Sequence, residues 1–192
     1  TIVKTETPAT AVTATTTIEK GISGTLEVGA DKEYKTIQKA VDALKTGIDG
    51  PVTISIQPGV YKENVLVPAI AGMSENNTLL ITSSTGKSSD VKLHNNDFSL
   101  GYTGDKLARE YGVFTFDGAT YTTLRGIEVT IDGNTKYPSV VHVRNMSRNV
   151  TVEDCYIHAK MSSNISDGIT LVNMYSLSEP NKNNDHFTLK GS

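Results

Sequence analysis

Two strand-like segments of the sequence carry polar and aromatic side chains at alternate positions, where they could bind an acidic sugar. The first segment contributes His142 and Arg144, and the second contributes Tyr156, His158 and Lys160. Because successive side chains of a strand point to opposite faces, each set would lie on one outward face. An aromatic ring can stack on a sugar, and cations can donate charge-assisted hydrogen bonds to a uronate. The pattern predicts a polysaccharide-binding surface, and the alternative is an ordinary solvated face of a sheet.

The sequence predicts no catalytic residue, metal site or cofactor with comparable support. Asp167 could be a catalytic carboxylate, but an Asp-Gly pair is first of all a turn signal. Asp117, Asp132 and Asp154 do not have the spacing of calcium ligands, so they would bind a metal only if the fold brought them together. Cys155, the single cysteine, has no base beside it, which predicts a buried core thiol rather than a nucleophile.

Size and charge exclude several classes of function. The chain has 192 residues, which fits one domain. Its net charge of −3 at pH 7 provides no basic field for nucleic acid. No apolar stretch reaches the ~18 residues of a membrane-spanning helix. We therefore expect neither a nucleic-acid partner nor a membrane span.

The elements that must position the binding residues form an internal repeat. Val113, Val141 and Ile169 are 28 residues apart, and Leu124 and Val152 keep that spacing in a later strand. A fixed period of ~20–50 residues indicates a solenoid, a propeller or another array. Propeller blades usually need ~40–45 residues, so a shorter repeat of strands and turns favours a coil of a parallel β-helix. We expect an all-β fold, a parallel β-helix of about five coils.

Equivalent residues of successive coils would stack in columns ~4.8 Å apart. We expect Val113, Val141 and Ile169 to form one inward column. Phe114 and Phe116 would then point outward, beneath the binding residues of the next coil. The other expected columns are inward ones of Leu124 with Val152 and Leu189, Ile127 with Cys155 and Val129 with Ile157, an outward one of Arg125, Glu153 and Lys190, and a polar ladder of Asp117, Asn145 and Asn173. A change of parity within the later strand predicts bends at residues 125–126 and 153–154.

One amphipathic helix is predicted near the start of the domain. Its apolar face would consist of Tyr34, Ile37, Val41 and Leu44. Thr36 is placed to cap its N-terminus, and Gly47 is placed to end it. The end of a solenoid exposes both core and sheet edge, so we expect this N-terminal helix to cap the first coil.

The two ends of the chain are expected to differ. Residues 1–24 are rich in threonine, which predicts a leader or linker, and residues 25–192 would form the β-helix domain. The alternative for the leader is a strand that docks on the domain. No C-terminal cap is visible in the sequence, so we expect a C-terminally incomplete domain, or a partner chain at the last coil.

Two segments resemble a known family. Residues 34–41 (YKTIQKAV) are similar to the opening of pectin methylesterases and related β-helix proteins, and residues 58–65 (PGVYKENV) resemble their Pro-Gly-x-Tyr-x-Glu segment. The resemblance runs over residues 26–157. It implies a right-handed parallel β-helix, a secreted or cell-surface protein, and an acidic plant-type polysaccharide as the partner. The coils after Asn145 resemble pectate lyases equally well.

The catalytic motifs of the esterases are not found in this chain. Pro138 and Ser139 stand where the esterases carry Gln, and Ser162 stands near their Gln-Asp-Thr. Their Arg-Pro-Trp motif cannot occur, because the sequence has no Trp. The reaction therefore stays open between an esterase-like and a lyase-like enzyme. The alternative function is a non-catalytic glycan-binding adhesin or a structural surface protein on the same scaffold.

Overall fold

The computed structural model describes residues 20–94, 112–132, 139–160, 170–174 and 184–192. Its one helix, α1, spans Ile37–Ala43 and continues into a 3₁₀ turn, Leu44–Thr46; a second 3₁₀ turn is Ser88–Asp90. The strands in these ranges are β1 (Ile22–Val28), β2 (Ile48–Ile56), β3 (Gly59–Tyr61), β4 (Val65–Pro68), β5 (Leu79–Ser83), β6 (Val91–His94), β7 (Gly112–Asp117), β8 (Thr120–Arg125), β9 (Glu128–Asp132), β10 (Ser139–Arg144), β11 (Arg148–Glu153), β12 (Tyr156–Lys160), β13 (Thr170–Asn173) and β14 (Asp185–Lys190).

The strands form three sheets, and each strand pairs with its neighbours in parallel. Sheet A has the order β1-β2-β5-β8-β11-β14, sheet B the order β12-β9-β6-β3, and sheet C the order β13-β10-β7-β4. The chain visits sheets C, A and B in turn through β4–β6, β7–β9 and β10–β12. Such a path is a coil of a parallel β-helix, so the predicted all-β fold class is confirmed.

The interior is built from columns of apolar side chains. In sheet A, the pairing register stacks Ile54, Ile81, Leu124 and Val152 in successive strands, and all four are fully buried. Burying such a side chain contributes roughly 1.5–3 kcal/mol. Leu189 continues the column as predicted, but it is 50% exposed because β14 is the edge strand.

The predicted bends also stack. Gly126, Asp154 and Gly191 occupy equivalent positions in three coils, and all three have positive φ, between 53° and 63°. The N–H of Gly126 donates to the carbonyl of Glu153 over 3.0–3.2 Å, at 3.1 Å, and the N–H of Asp154 donates to the carbonyl of Lys190 at 2.9 Å. The left-handed conformation therefore recurs at one place in each coil and hydrogen-bonds one bend to the next.

The predicted column of charges on the outside of sheet A is confirmed. Glu153 lies in register between Arg125 and Lys190. Its carboxylate is 3.6 Å from the Arg125 guanidinium and 3.8 Å from the Lys190 ammonium. These pairs are partly exposed, so each contributes no more than about 1 kcal/mol.

The expected register of sheet C is wrong by one residue. Val141 pairs with Phe114 of β7 and Val172 of β13, and not with Val113; Ile169 lies outside the described residues. The turn after β7 connects Asp117 to Thr120 in three steps, whereas the turn after β10 takes four steps. The spacing is therefore 28 residues in sheets A and B but 27 between β7 and β10.

A one-residue shift exchanges the two faces of a strand. Phe114 lies beside Val65 and Val141 in the inward column, and Phe116 is also fully buried, with its ring 5.0 Å from that of Phe114. The expectation that these two rings point outward is therefore wrong. Val113 takes the outward position instead.

The predicted polar ladder has two members rather than three. The side-chain amide of Asn145 donates to the carboxylate of Asp117. Asn173, however, lies opposite His142, and its amide donates to the hydroxyl of Ser139 at 3.2 Å. The shift in register between β10 and β13 moves Asn173 away from the turn.

Helix α1 covers the core at the first coils, as predicted. Ile37 and Leu44 are fully buried, and the Thr36 hydroxyl accepts from the Lys39 N–H at 3.2 Å. The carboxylate of Glu63, just before β4, accepts from the N–H groups of Ile37 and Gln38 at 2.8 and 2.9 Å. The helix ends before Gly47, which has a φ of 96°.

The helix also closes the free edge of sheet C. The Gln38 side-chain carbonyl accepts from the N–H of Leu66 at 2.7 Å, and its amide donates to the carbonyl of Leu66 at 3.2 Å. Since β4 is an edge strand, these bonds satisfy groups that would otherwise be open to another chain. Gln38 and Glu63 thus join helix and strand in both directions.

The ends of the described solenoid differ from each other. At the start, β1 pairs with β2 from Ile22 onwards, so the boundary expected at residue 25 falls inside β1; residues 1–19 of the expected leader lie outside the described ranges. At the other end, Leu171 is 46% exposed and Leu189 is 50% exposed. The expected partner chain or missing segment at this coil stays a prediction. No helix in the described ranges is long and apolar enough to cross a membrane.

The cap predicts a sharp difference between two adjacent positions. Leu44→Asp should abolish cooperative folding, because an unpaired buried carboxylate costs several kcal/mol, comparable to a total stability of ~5–15 kcal/mol. Lys45→Asp is the control, because Lys45 is exposed and the same charge enters water. Thermal unfolding followed by circular dichroism measures both, and a Leu44→Asp chain that melts with the control would show that the helix is no cap.

Candidate functional site

Three of the five predicted binding residues lie side by side. Tyr156, His158 and Lys160 are on β12, an edge strand of sheet B. The residues between them pair with fully or almost fully buried positions of β9, so the three side chains point outward. We define the sheet B face as the outward side chains of β6, β9 and β12, namely Lys92, Glu128, Thr130, Tyr156, His158 and Lys160.

An aromatic platform forms the exposed part of the sheet B face. Tyr156 is 57% exposed, and its ring stacks on the His158 imidazole with centroids 4.4 Å apart and planes 22° from parallel. Lys160 follows on the same face and is exposed. A ring held against a second ring has little freedom to lose, so it is ready to receive the apolar face of a ligand.

Glu128 links this platform to the next coils. The register places it between Lys92 of β6 and Tyr156 of β12. Its Oε1 lies 2.9 Å from Nε2 of His158 and 3.1 Å from the Lys92 ammonium. Burial raises the pKa of Glu128, but the hydrogen bonds and charges of His158 and Lys92 outweigh burial, and the net pKa is lowered. The carboxylate therefore remains ionised.

The carboxylate also orients the imidazole. Because a carboxylate only accepts, Nε2 of His158 carries the proton; in the neutral ring, Nδ1 then accepts from the Thr130 hydroxyl, 3.3 Å away. This order of hydroxyl, imidazole and carboxylate is that of an activated nucleophile. Thr130, however, is fully buried, so a polymer cannot reach its hydroxyl. The network holds His158 in place beneath the ring of Tyr156.

The other two predicted binding residues, His142 and Arg144, are buried in sheet C. His142 is fully buried and Arg144 is 5% exposed, so the expectation that both lie on a solvated surface is wrong. His142 lies between Thr115 and Asn173 in register. The Arg144 guanidinium donates to the Asp117 carboxylate at 2.9 Å. The structure therefore does not bring these two residues together with the platform of Tyr156.

The physical reason is that alternation predicts a face but not whether that face is covered. All six residues of β10 are buried, as in a parallel strand that is covered on both sides. The sequence does contain a signal for this, since Val140 and Val141 are consecutive apolar residues. A strictly alternating strand would place a polar residue at one of them.

The remaining candidates for chemistry find no support in the described residues. Asp167 and Ser162 lie outside them. No group of three or more His, Cys, Asp or Glu side chains that could bind a metal occurs in the described ranges. Burial raises the pKa of the Cys155 thiol, which is 4% exposed, in agreement with the predicted core position.

A cavity of about 370 Å³ lies at the first coils, far along the sheet from Tyr156. Its charged groups are used by the fold. The Lys35 ammonium donates to the carbonyls of Ala30 and Lys32 at 2.9 and 2.6 Å, and Glu63 holds the helix. The hydroxyl of Tyr61 donates to the Gln57 carbonyl at 2.8 Å. The segment of residues 58–65 therefore has a structural role here.

The chain matches no family model and no curated protein. It is similar to solved structures of a pectin methylesterase from Aspergillus niger. The deglycosylated form is 16% identical with a TM-score of 0.44, over 84% of this chain and 72% of that one. The penultimately deglycosylated form is 13% identical with a TM-score of 0.36, over 90% and 86%. These values assign no role to any residue of this chain.

Glu128 predicts a dependence of stability on pH. A carboxylate whose pKa is lowered by folding contributes stability that is fully present above its unfolded pKa of about 4.3, and that is lost as pH falls through the folded value. Glu128→Gln should therefore be less stable than wild type by about 1 kcal/mol at pH 7, and the difference should shrink below about pH 4. Urea unfolding across pH 3–7 measures this, with the exposed Val60→Ala as control; a difference that stays constant with pH would contradict the network.

Proposed function

We propose that the sheet B face binds an acidic polysaccharide chain, of which pectin is the type. The observation that carries the proposal is the exposed ring of Tyr156, stacked on His158 with Lys160 beyond it on the same strand. Alternate residues of a strand are ~6.6–6.8 Å apart, so the three side chains span ~13 Å. This length suits a short run of sugar units.

Stacking and charge would act together on such a polymer. The ring of Tyr156 offers an apolar surface to the C–H groups of a sugar. Lys160 is exposed, and the Lys92 side chain is 34% exposed, so both cations can meet uronate carboxylates. The negative charge of Glu128 is compensated by Lys92 and His158, so that it opposes an anionic ligand only weakly. His142 and Arg144 have no part in the proposed surface, because they are buried.

Binding is favoured over turnover by the state of the carboxylates. Two cationic or polar partners lower the pKa of Glu128, which makes it a weak base at neutral pH. Asp117 is held by Arg144 and Asn145. An esterase or lyase needs a carboxylate or other base with a raised basicity, placed at the ligand. A non-catalytic glycan-binding module therefore fits the described residues better, and a plant-type polysaccharide places it outside the cell or on the cell surface.

Two substitutions test the surface against a matched control. Tyr156→Ala should weaken the binding of de-esterified oligogalacturonate about tenfold, because the stacking surface is removed. Lys160→Ala should weaken it about twofold to fivefold, and added salt should reduce this effect through screening. Lys190→Ala is the control, because it removes an exposed lysine of sheet A instead. Isothermal titration calorimetry at low and high salt measures all three.

Equal affinities for the three variants would contradict the proposed surface. Methanol release from methylated pectin, measured on the same samples, should remain at the buffer blank. Turnover above the blank would replace the binding proposal with an enzymatic one, and the residue responsible would have to lie outside the sheet B face.

A further inference from the structure

Sheet A presents a second regular surface that the proposed function does not use. Its outward residues form two columns, each with one residue per strand from β1 to β14. The first column consists of Thr25, Thr53, Leu80, Thr123, Thr151 and Thr188. None of these six side chains is fully buried. We call the two columns together the sheet A face.

The second column carries charges in a definite order. It consists of Glu27, Ser55, Thr82, Arg125, Glu153 and Lys190, in the order of the strands. A negative side chain therefore stands at the first strand and a positive one at the last. Glu27 is 51% and Lys190 is 72% exposed at the side chain.

We propose that the sheet A face is an interface with a second copy of this chain, related by a two-fold axis that lies between the faces and parallel to the strands. Such an axis keeps each column opposite itself and reverses the order of the coils. The threonine column then packs on the threonine column. Two sheets that pack with nearly aligned strands are a common arrangement in proteins.

The order of charges supports this reversed alignment. Glu27 faces Lys190 of the second copy, and the symmetry repeats that pair at the other end. Glu153 then faces Ser55, and Arg125 faces Thr82, so that no two like charges are opposed. The existing contacts of the outer pair are weak, at 3.4 Å from Glu27 to Lys32 and 3.8 Å from Lys190 to Glu153. Exposed pairs of this kind exchange partners at little cost.

The size of the face predicts a weak dimer. Six strands ~4.8 Å apart and about 20 Å long cover roughly 570 Å² on each copy, or about 1,100 Å² in total. Specific interfaces start at about 1,000 Å² and are commonly ~1,600 Å². We therefore expect self-association at micromolar to millimolar concentrations of protein rather than a permanent dimer.

Charge reversal with rescue tests the proposal. Sedimentation equilibrium from 10 to 500 µM should show a monomer–dimer equilibrium of the wild-type chain. Glu27→Lys and Lys190→Glu should each weaken it about threefold to tenfold, because each opposes like charges twice. The double variant restores opposite charges across the axis, so its dimerisation should return to within about twofold of wild type.

Controls separate this interface from folding and from the glycan surface. Circular dichroism melts verify that each variant is folded, and Lys160→Ala, on the sheet B face, should dimerise like wild type. A wild-type chain that stays monomeric at 500 µM overturns the proposal. So does a double variant that dimerises no better than the single ones. Both results would leave oligogalacturonate binding unaffected, so the two proposals fail separately.

Discussion

The in-register stacking of parallel strands is the constraint on which the rest of the structure depends. Each coil must return its chain to the same face, so every residue inherits its environment from the coil below. Ile54, Ile81 and Leu124 are buried because they share a column. Differences in coil length are absorbed in the turns, as in the longer turn after β10, and not in the strands. Reciprocal bonds from Gln38 and Glu63 protect the stack where it starts, by tying α1 to the edge strand β4.

The same stacking creates both proposed surfaces. On sheet B it places Glu128 between Lys92 and Tyr156, so that a carboxylate of one coil orients the imidazole of the next. On sheet A it turns a repeated sequence position into a column with an ordered series of charges. Sheet C shows the opposite result, since both faces of β10 are buried and His142 and Arg144 are lost to solvent. Function on a solenoid is thus decided by which outward faces stay uncovered.

The repeat predicted most of the fold, because a spacing of 28 residues directly encodes the register of sheets A and B. It failed for Phe114 and Phe116, because one additional residue in a turn is invisible to an average spacing yet exchanges the faces of a strand. It also missed β1, where Gly24 interrupts the alternation of Ile22, Leu26 and Val28. In the site, alternation identified Tyr156, His158 and Lys160 correctly as outward residues. Lys92 and Glu128 were missed as their partners, because contacts between coils depend on the register of β6, which lies outside the repeat.

The central claim is that an acidic polysaccharide lies on the sheet B face. Amide chemical-shift mapping by NMR during a titration with de-esterified oligogalacturonate tests it most directly, since every strand reports separately. The account predicts the largest changes in β12, smaller ones at the neighbouring positions of β9 and β6, and none in β10 or around the cavity beside Tyr61. Changes centred on sheet C or on that cavity, or an unchanged spectrum at saturating oligogalacturonate, would contradict it.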